Sequence, residues 1–95
     1  MTPVIKAEGF SLDPKQSELI DTKLKRIAYA DDLIVDLLLK VKLDKEFSFE
    51  ATIHFKWGPQ AHVEETDRDF SAGINKLMDT LDYKIKKEKD KIQEK

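Results

Sequence analysis

Two stretches of this chain alternate apolar and polar residues so regularly that few folds can hold them. Between residues 33 and 43, Val35, Leu37, Leu39, Val41 and Leu43 take every second position, with Asp36, Lys40 and Lys42 on the other side. Between 47 and 57, Phe47, Phe49, Ala51, Ile53, Phe55 and Trp57 alternate with Ser48, Glu50, Thr52, His54 and Lys56. Successive side chains of a strand point to opposite faces, so each run is a strand with one apolar and one polar face. Asp44-Lys45-Glu46 joins them as a turn, and Trp57-Gly58-Pro59-Gln60 leads into a short strand over residues 61–65. Such strands form a sheet that needs a cover on one face only.

The flanking segments supply that cover. Residues 4–10 read as a first strand ending in a turn. Asp13 then has the carboxylate of an N-cap, Pro14 suits the first helical position, and Gln16 completes a capping box. Ile20, Leu24 and Ile27 follow at i, i+4 and i+7, which predicts a helix over residues 14–29. Thr66 or Asp67 is placed to cap a last helix, with Phe70, Ile74, Leu77, Met78, Leu81, Ile85 and Ile92 on its apolar side. The order is β-α-β-β-β-α, an α+β fold. The β-α-β crossover makes the first two strands parallel, two hairpins add antiparallel partners, and both helices lie on one face of a four-stranded sheet. Ninety-five residues make one domain, 1–95.

Composition narrows the function classes. There is no cysteine, which excludes a disulfide scaffold and a thiolate metal site. No run approaches the roughly 20 apolar residues of a membrane span, and no basic-then-apolar N-terminus reads as a signal peptide, so a cytoplasmic protein without a membrane partner is expected. Nucleophilic catalysis has no support, since Ser71 has no visible base. The isolated Gly9, Gly58 and Gly73 make no phosphate loop. His54 and His62 lie near Glu64 and Glu65 but lack His-x-x-x-His spacing, so they read as surface histidines and no metal is expected. Glu64, Glu65, Asp67 and Asp69 read as helix-capping acids rather than an acid–base pair. No cofactor and no small-molecule substrate follow.

Charge is the informative property. Net charge is −2, yet residues 15–26 hold four basic against two acidic side chains and residues 84–95 hold six against three, leaving −7 elsewhere. At about 100° per residue, Lys15, Lys23 and Arg26 fall on one flank of the first helix's apolar side. Lys76, Lys84, Lys87 and Lys91 fall on the same rotational side of the last helix, while Asp79, Asp82 and Asp90 mix with Lys86 and Lys89 on the other. Each helix thus has one basic stripe. A stripe of this kind is either a solvated face or a site for an anionic partner. Tyr29 and Tyr83 sit near the stripes, whereas Trp57 and the phenylalanines read as core.

The element order, Leu12-Asp13-Pro14 opening the first helix, His62-Val63-Glu64-Glu65-Thr66-Asp67-Arg68-Asp69-Phe70 leading into the second, and the ending Leu81-Asp82-Tyr83-Lys84-Ile85-Lys86-Lys87-Glu88-Lys89-Asp90-Lys91-Ile92 together resemble the ribosome hibernation promoting factor and ribosome-associated inhibitor family. The resemblance implies a non-enzymatic translation inhibitor that binds the small ribosomal subunit and its ribosomal RNA. It implies occlusion of the channel for messenger and transfer RNA in idle ribosomes. By position, Lys23, Arg26, Lys86, Lys87, Lys89 and Lys91 match the family's basic residues. With Lys15, Lys76 and Lys84 of the stripes they form the expected nucleic-acid interface. Tyr29, Thr80 and Tyr83 depart from the family in standing where basic residues are common, and Ser71 and Asn75 replace its usual Tyr and Asp. The extent of the chain implies the short form, monomeric off the ribosome. Two other readings stay open. One is a protein–protein adaptor that uses the charged last helix, and the other is a small metal-dependent enzyme built on the two histidines.

Overall fold

In a computed structural model, the backbone of residues 2–93 and the side chains of residues 3–91 are described. The strands are β1 (Thr2–Glu8), β2 (Ile34–Leu43), β3 (Phe47–Phe55) and β4 (Gln60–Asp67). The helices are α1 (Pro14–Leu24) and α2 (Phe70–Gln93), and a 3-10 stretch, Lys25–Leu33, connects α1 to β2. The sheet order is β1-β2-β3-β4, with β1 and β2 parallel and the other two pairings antiparallel. The α+β order and the helices on one face are as the alternation requires.

The core lies between that face and the helices. Leu37, Leu39 and Val41 of β2 and Phe49, Ala51, Ile53 and Phe55 of β3 bury against Ile20 and Leu24 of α1 and Ile74, Leu77, Leu81 and Ile85 of α2. Each large side chain so buried contributes roughly 1.5–3 kcal/mol relative to exposure. Phe10, Phe47, Phe49 and Phe70 meet mostly edge to face at one end of the core. Gly73 allows this seating: a Cβ there would stand 2.0 Å from the Phe49 ring. Gly9 turns the chain out of β1 at φ 79°, and a Cβ there would lie 2.5 Å from the Leu43 carbonyl oxygen.

Asp13 caps α1 as its sequence requires, its carboxylate accepting from the Gln16 N–H at 2.7 Å while the Gln16 side chain accepts from the Asp13 N–H. The helix does not run to 29, however. From Lys25 the chain tightens to 3-10 winding, with three residues per turn. Leu24, Ile27 and Ala30, spaced by three, are all buried, and Leu33 continues the row half-buried. A period of three keeps that row on the sheet, whereas α-helical winding would rotate Ala30 away.

Three further expectations are corrected. Val35 points away from the core and is 51% exposed, because the β2–β3 register shifts between Ile34 and Asp36. One extra residue there lets Ile34 face inward in its place. Trp57 lies past the end of β3, partly exposed, stacked on Phe55 at 4.8 Å. Thr66 and Asp67 do not cap α2, because β4 pairs with β3 as far as Asp67 and α2 begins at Phe70. Asp67 instead accepts from the Asp69 N–H at 2.8 Å, turning the chain toward the helix. Glu64 and Glu65 likewise lie within β4 rather than at the helix start. The side chain of Ile92 lies outside the described residues.

Candidate nucleic-acid interface

The contacts of α2 fix how the two basic stripes lie. Toward α1, Arg26 reaches Asp79 at 2.8 Å, and the Tyr29 hydroxyl donates to Asp82. Asp82 also receives Lys86 at 3.1 Å, and Lys89 lies over the Tyr29 ring, 5.8 Å from its centre. Toward the sheet edge, Lys76 pairs with Asp67 of β4 at 2.9 Å and the Thr80 hydroxyl donates to Glu65. Lys76 of the α2 stripe therefore lies on the β4 side of α2, while Arg26 of the other stripe meets the opposite, acid-bearing flank of α2.

The 3-10 winding is what delivers Arg26 and Tyr29 to α2, since residues three apart share one side of it. The cleft that results is lined by Arg26, Tyr29, Asp82, Lys86, Lys89 and Asp90. Partial burial, and then the Asp82 carboxylate, push the Tyr29 phenol well above its ordinary range. In return the Tyr29 hydroxyl, with smaller help from Lys86 and Arg26, holds the Asp82 carboxyl below its usual value. At the sheet edge, the Asp69 N–H and then Lys76 lower the Asp67 carboxyl, and Asp67 raises the Lys76 ammonium.

The nine expected contact residues thus fall into three kinds. Arg26, Lys76, Lys86 and Lys91 are ion-paired, the last with Glu88 at 3.3 Å. Lys87 and Lys89 lie over the rings of Tyr83 and Tyr29. Lys15, Lys23 and Lys84 form neither kind of contact among the described residues. Sequence reasoning missed the structural part played by Tyr29, Asp79 and Asp82. Its one signal was the spacing of Arg26 and Tyr29 by three, which a helical wheel drawn at 100° disperses.

The open face of the sheet holds both histidines. His54 Nδ1 is 2.5 Å from Asp36 and its Nε2 is 3.0 Å from Gln60. The Asp36 carboxylate, and then Gln60, raise the His54 imidazole above its ordinary value. His62 lies between Glu50 and Glu64. No helix among the described residues is long and apolar enough to cross a membrane.

A sheet of this order, with two helices and an ion-paired cleft on one face, defines a small α+β domain. The sequence profile of the sigma 54 modulation protein / S30EA ribosomal protein family matches residues 4–93. The chain belongs to that family. No curated protein sequence matches it. Its fold is similar to a ribosomal subunit interface protein from Coxiella burnetii, with 22% identity, a TM-score of 0.86 and coverage of 95% of this chain and 99% of that one. It is also similar to the N-terminal domain of Protein Y from Thermus thermophilus, with 20% identity, a TM-score of 0.78 and coverage of 92% and 98%.

Proposed function

We propose that this protein is a ribosome-associated translation inhibitor, working in the cytosol without catalysis. The observation that carries the reading is the family match, which spans residues 4–93. In this reading the domain binds the small ribosomal subunit, lays lysines against ribosomal RNA phosphates and blocks the messenger and transfer RNA channel in idle ribosomes. Shape and phosphate contacts suit such a rigid domain, because structured RNA is read mainly through its backbone. Lys84, Lys87 and Lys91 with Lys15 and Lys23 are the leading phosphate contacts, since no other element of the fold holds their charges among the described residues. Arg26, Lys86 and Lys89 act first in holding the 3-10 stretch to α2, and Lys76 in holding the start of α2 to β4.

Co-sedimentation with purified small subunits over a salt series tests the reading. With about five phosphates neutralised, the slope of log affinity against log salt is expected near −3.5 to −4.5. Messenger RNA added beforehand should compete. Absence of co-sedimentation at low salt would reject ribosome binding and favour an adaptor role.

A further inference from the structure

On the open face of the sheet, Glu50 of β3 stands directly opposite Glu64 of β4, and Thr52 stands opposite His62, the next pair on that face. His62 Nε2 is 3.1 Å from Glu64 Oε1 and 3.6 Å from Glu50 Oε1. One ligand atom from each of the three residues lies within 4.8 Å of the others. A tetrahedral ion bound at roughly 2.0–2.1 Å holds its ligand atoms about 3.3–3.4 Å apart. The two imidazole–carboxylate separations bracket that value.

Two features outside the triad point the same way. His62 Nδ1 is 2.9 Å from the Thr52 hydroxyl, which can accept from an Nδ1–H and so leave Nε2 free to bind. A partner on the second ring nitrogen is what orients a metal-binding histidine. Carboxylates directly opposite across strands also repel unless a cation stands by. Lys40 of β2 is the register partner of Glu50, but its ammonium is 3.2 Å from Glu8 instead. Among the described residues, no lysine or arginine pairs with Glu50 or Glu64.

We propose that Glu50, His62 and Glu64 form a binding site for a divalent transition-metal ion of the zinc class, with a fourth position open to water. An imidazole beside carboxylates favours such an ion over magnesium or calcium, which take oxygen ligands. The expectation of no metal looked for ligand spacing along one segment, whereas these ligands come from two strands and meet only through their register. Bound there, the ion ties β3 to β4 on the face opposite the helices, apart from both basic stripes.

Calorimetric titration of the full chain with Zn²⁺, and the visible spectrum with Co²⁺ in its place, test the site without any ribosome. One equivalent of Zn²⁺ is expected, with a tetrahedral Co²⁺ spectrum and a melting temperature that rises with Zn²⁺. His62→Ala should abolish the equivalent. Thr52→Val keeps all three ligands and should weaken binding roughly tenfold or more. His54→Ala removes the other histidine of this face and should leave binding unchanged. Less than one equivalent in the parent protein would overturn the proposal. So would equal losses from His54→Ala and His62→Ala in variants that melt as cooperatively as the parent.

Discussion

On the flank of α2 that faces α1, Asp79 receives Arg26, and Asp82 receives both Tyr29 and Lys86. On the β4 side, Lys76 reaches Asp67, but farther along the helix Lys84 has no partner among the described residues, and Lys87 and Lys91 reach only Tyr83 and Glu88 of their own helix. Both flanks carry lysines, yet the inner pair, Lys86 and Lys89, sits among contacts to the 3-10 stretch, whereas beyond Lys76 the outer lysines leave their charges available. Local pairs on an exposed helix contribute about 0.2–0.5 kcal/mol each and yield readily to a phosphate. The cross-element contacts, Arg26–Asp79 and Tyr29–Asp82, tie the 3-10 stretch to α2. Positive charge in a sequence and positive surface in a fold are therefore different quantities.

The most drastic way to break the contrast is to loosen the frame beneath both flanks. Leu39 is fully buried, and Leu39→Ala should cost roughly 2–5 kcal/mol in urea melts through lost burial and the cavity left behind. A loss under about 0.5 kcal/mol would mean that Leu39 does not lie in the core between sheet and helices.

Next in size is a charge comparison across α2. Neutralising Lys84, Lys87 and Lys91 to Gln should flatten the salt slope of small-subunit binding by roughly 2–3. Lys86→Gln with Lys89→Gln, on the inner flank, should change it by less than about 1. Equal changes, at equal folding stability, would erase the distinction between the flanks.

Tyrosines offer a smaller and cleaner pair. Tyr29→Phe removes the hydroxyl that binds Asp82 and should lower stability by about 1 kcal/mol, while Tyr83→Phe, on a 61% exposed ring, should be silent in thermal melts. The same substitution changes acid behaviour. The Asp82 carboxyl is held below its usual value, so its contribution is present above 3.8 and is lost as pH falls through the folded value. Tyr29→Phe should move that acid loss to higher pH.

The smallest effect lies on the sheet's open face. Asp36 and Gln60 raise the His54 pKa, so this exposed contact supports the fold below 6.5 and fades as pH rises through the folded value. His54→Gln should flatten the stability profile above that pH. A parent profile that is already flat there would show that the Asp36 contact carries no proton linkage.

Much of the fold was legible because its signals are local. The capping box at Asp13 and Gln16, the alternation through Leu37–Val41 and Phe49–Phe55, and the 3.6-residue period of α2 each need only neighbours in the chain. Ile20, Leu24 and Ile27 were legible as an apolar row, but α-helical and 3-10 winding both accommodate Leu24 and Ile27 over one turn, and Ala30 joined the row only in the structure. Only the sheet beneath it selected a period of three. Val35 was misplaced because a bulge is decided by how β2 and β3 pair, and either strand alone keeps its alternation.

The candidate interface divides in the same way. By itself the sequence determined that the two helices carry the chain's concentrated positive charge and that each has a basic stripe, since both follow from residue order and helical period. The tertiary structure decided that Arg26 and Lys76 lie on opposite flanks of α2, that Asp79 neutralises Arg26, and that Glu50, His62 and Glu64 converge. Each of those facts is a contact between residues on different elements. The docking of α1 and its 3-10 extension against α2, and the register of β3 against β4, set those distances, and neither is encoded in the spacing of any one segment.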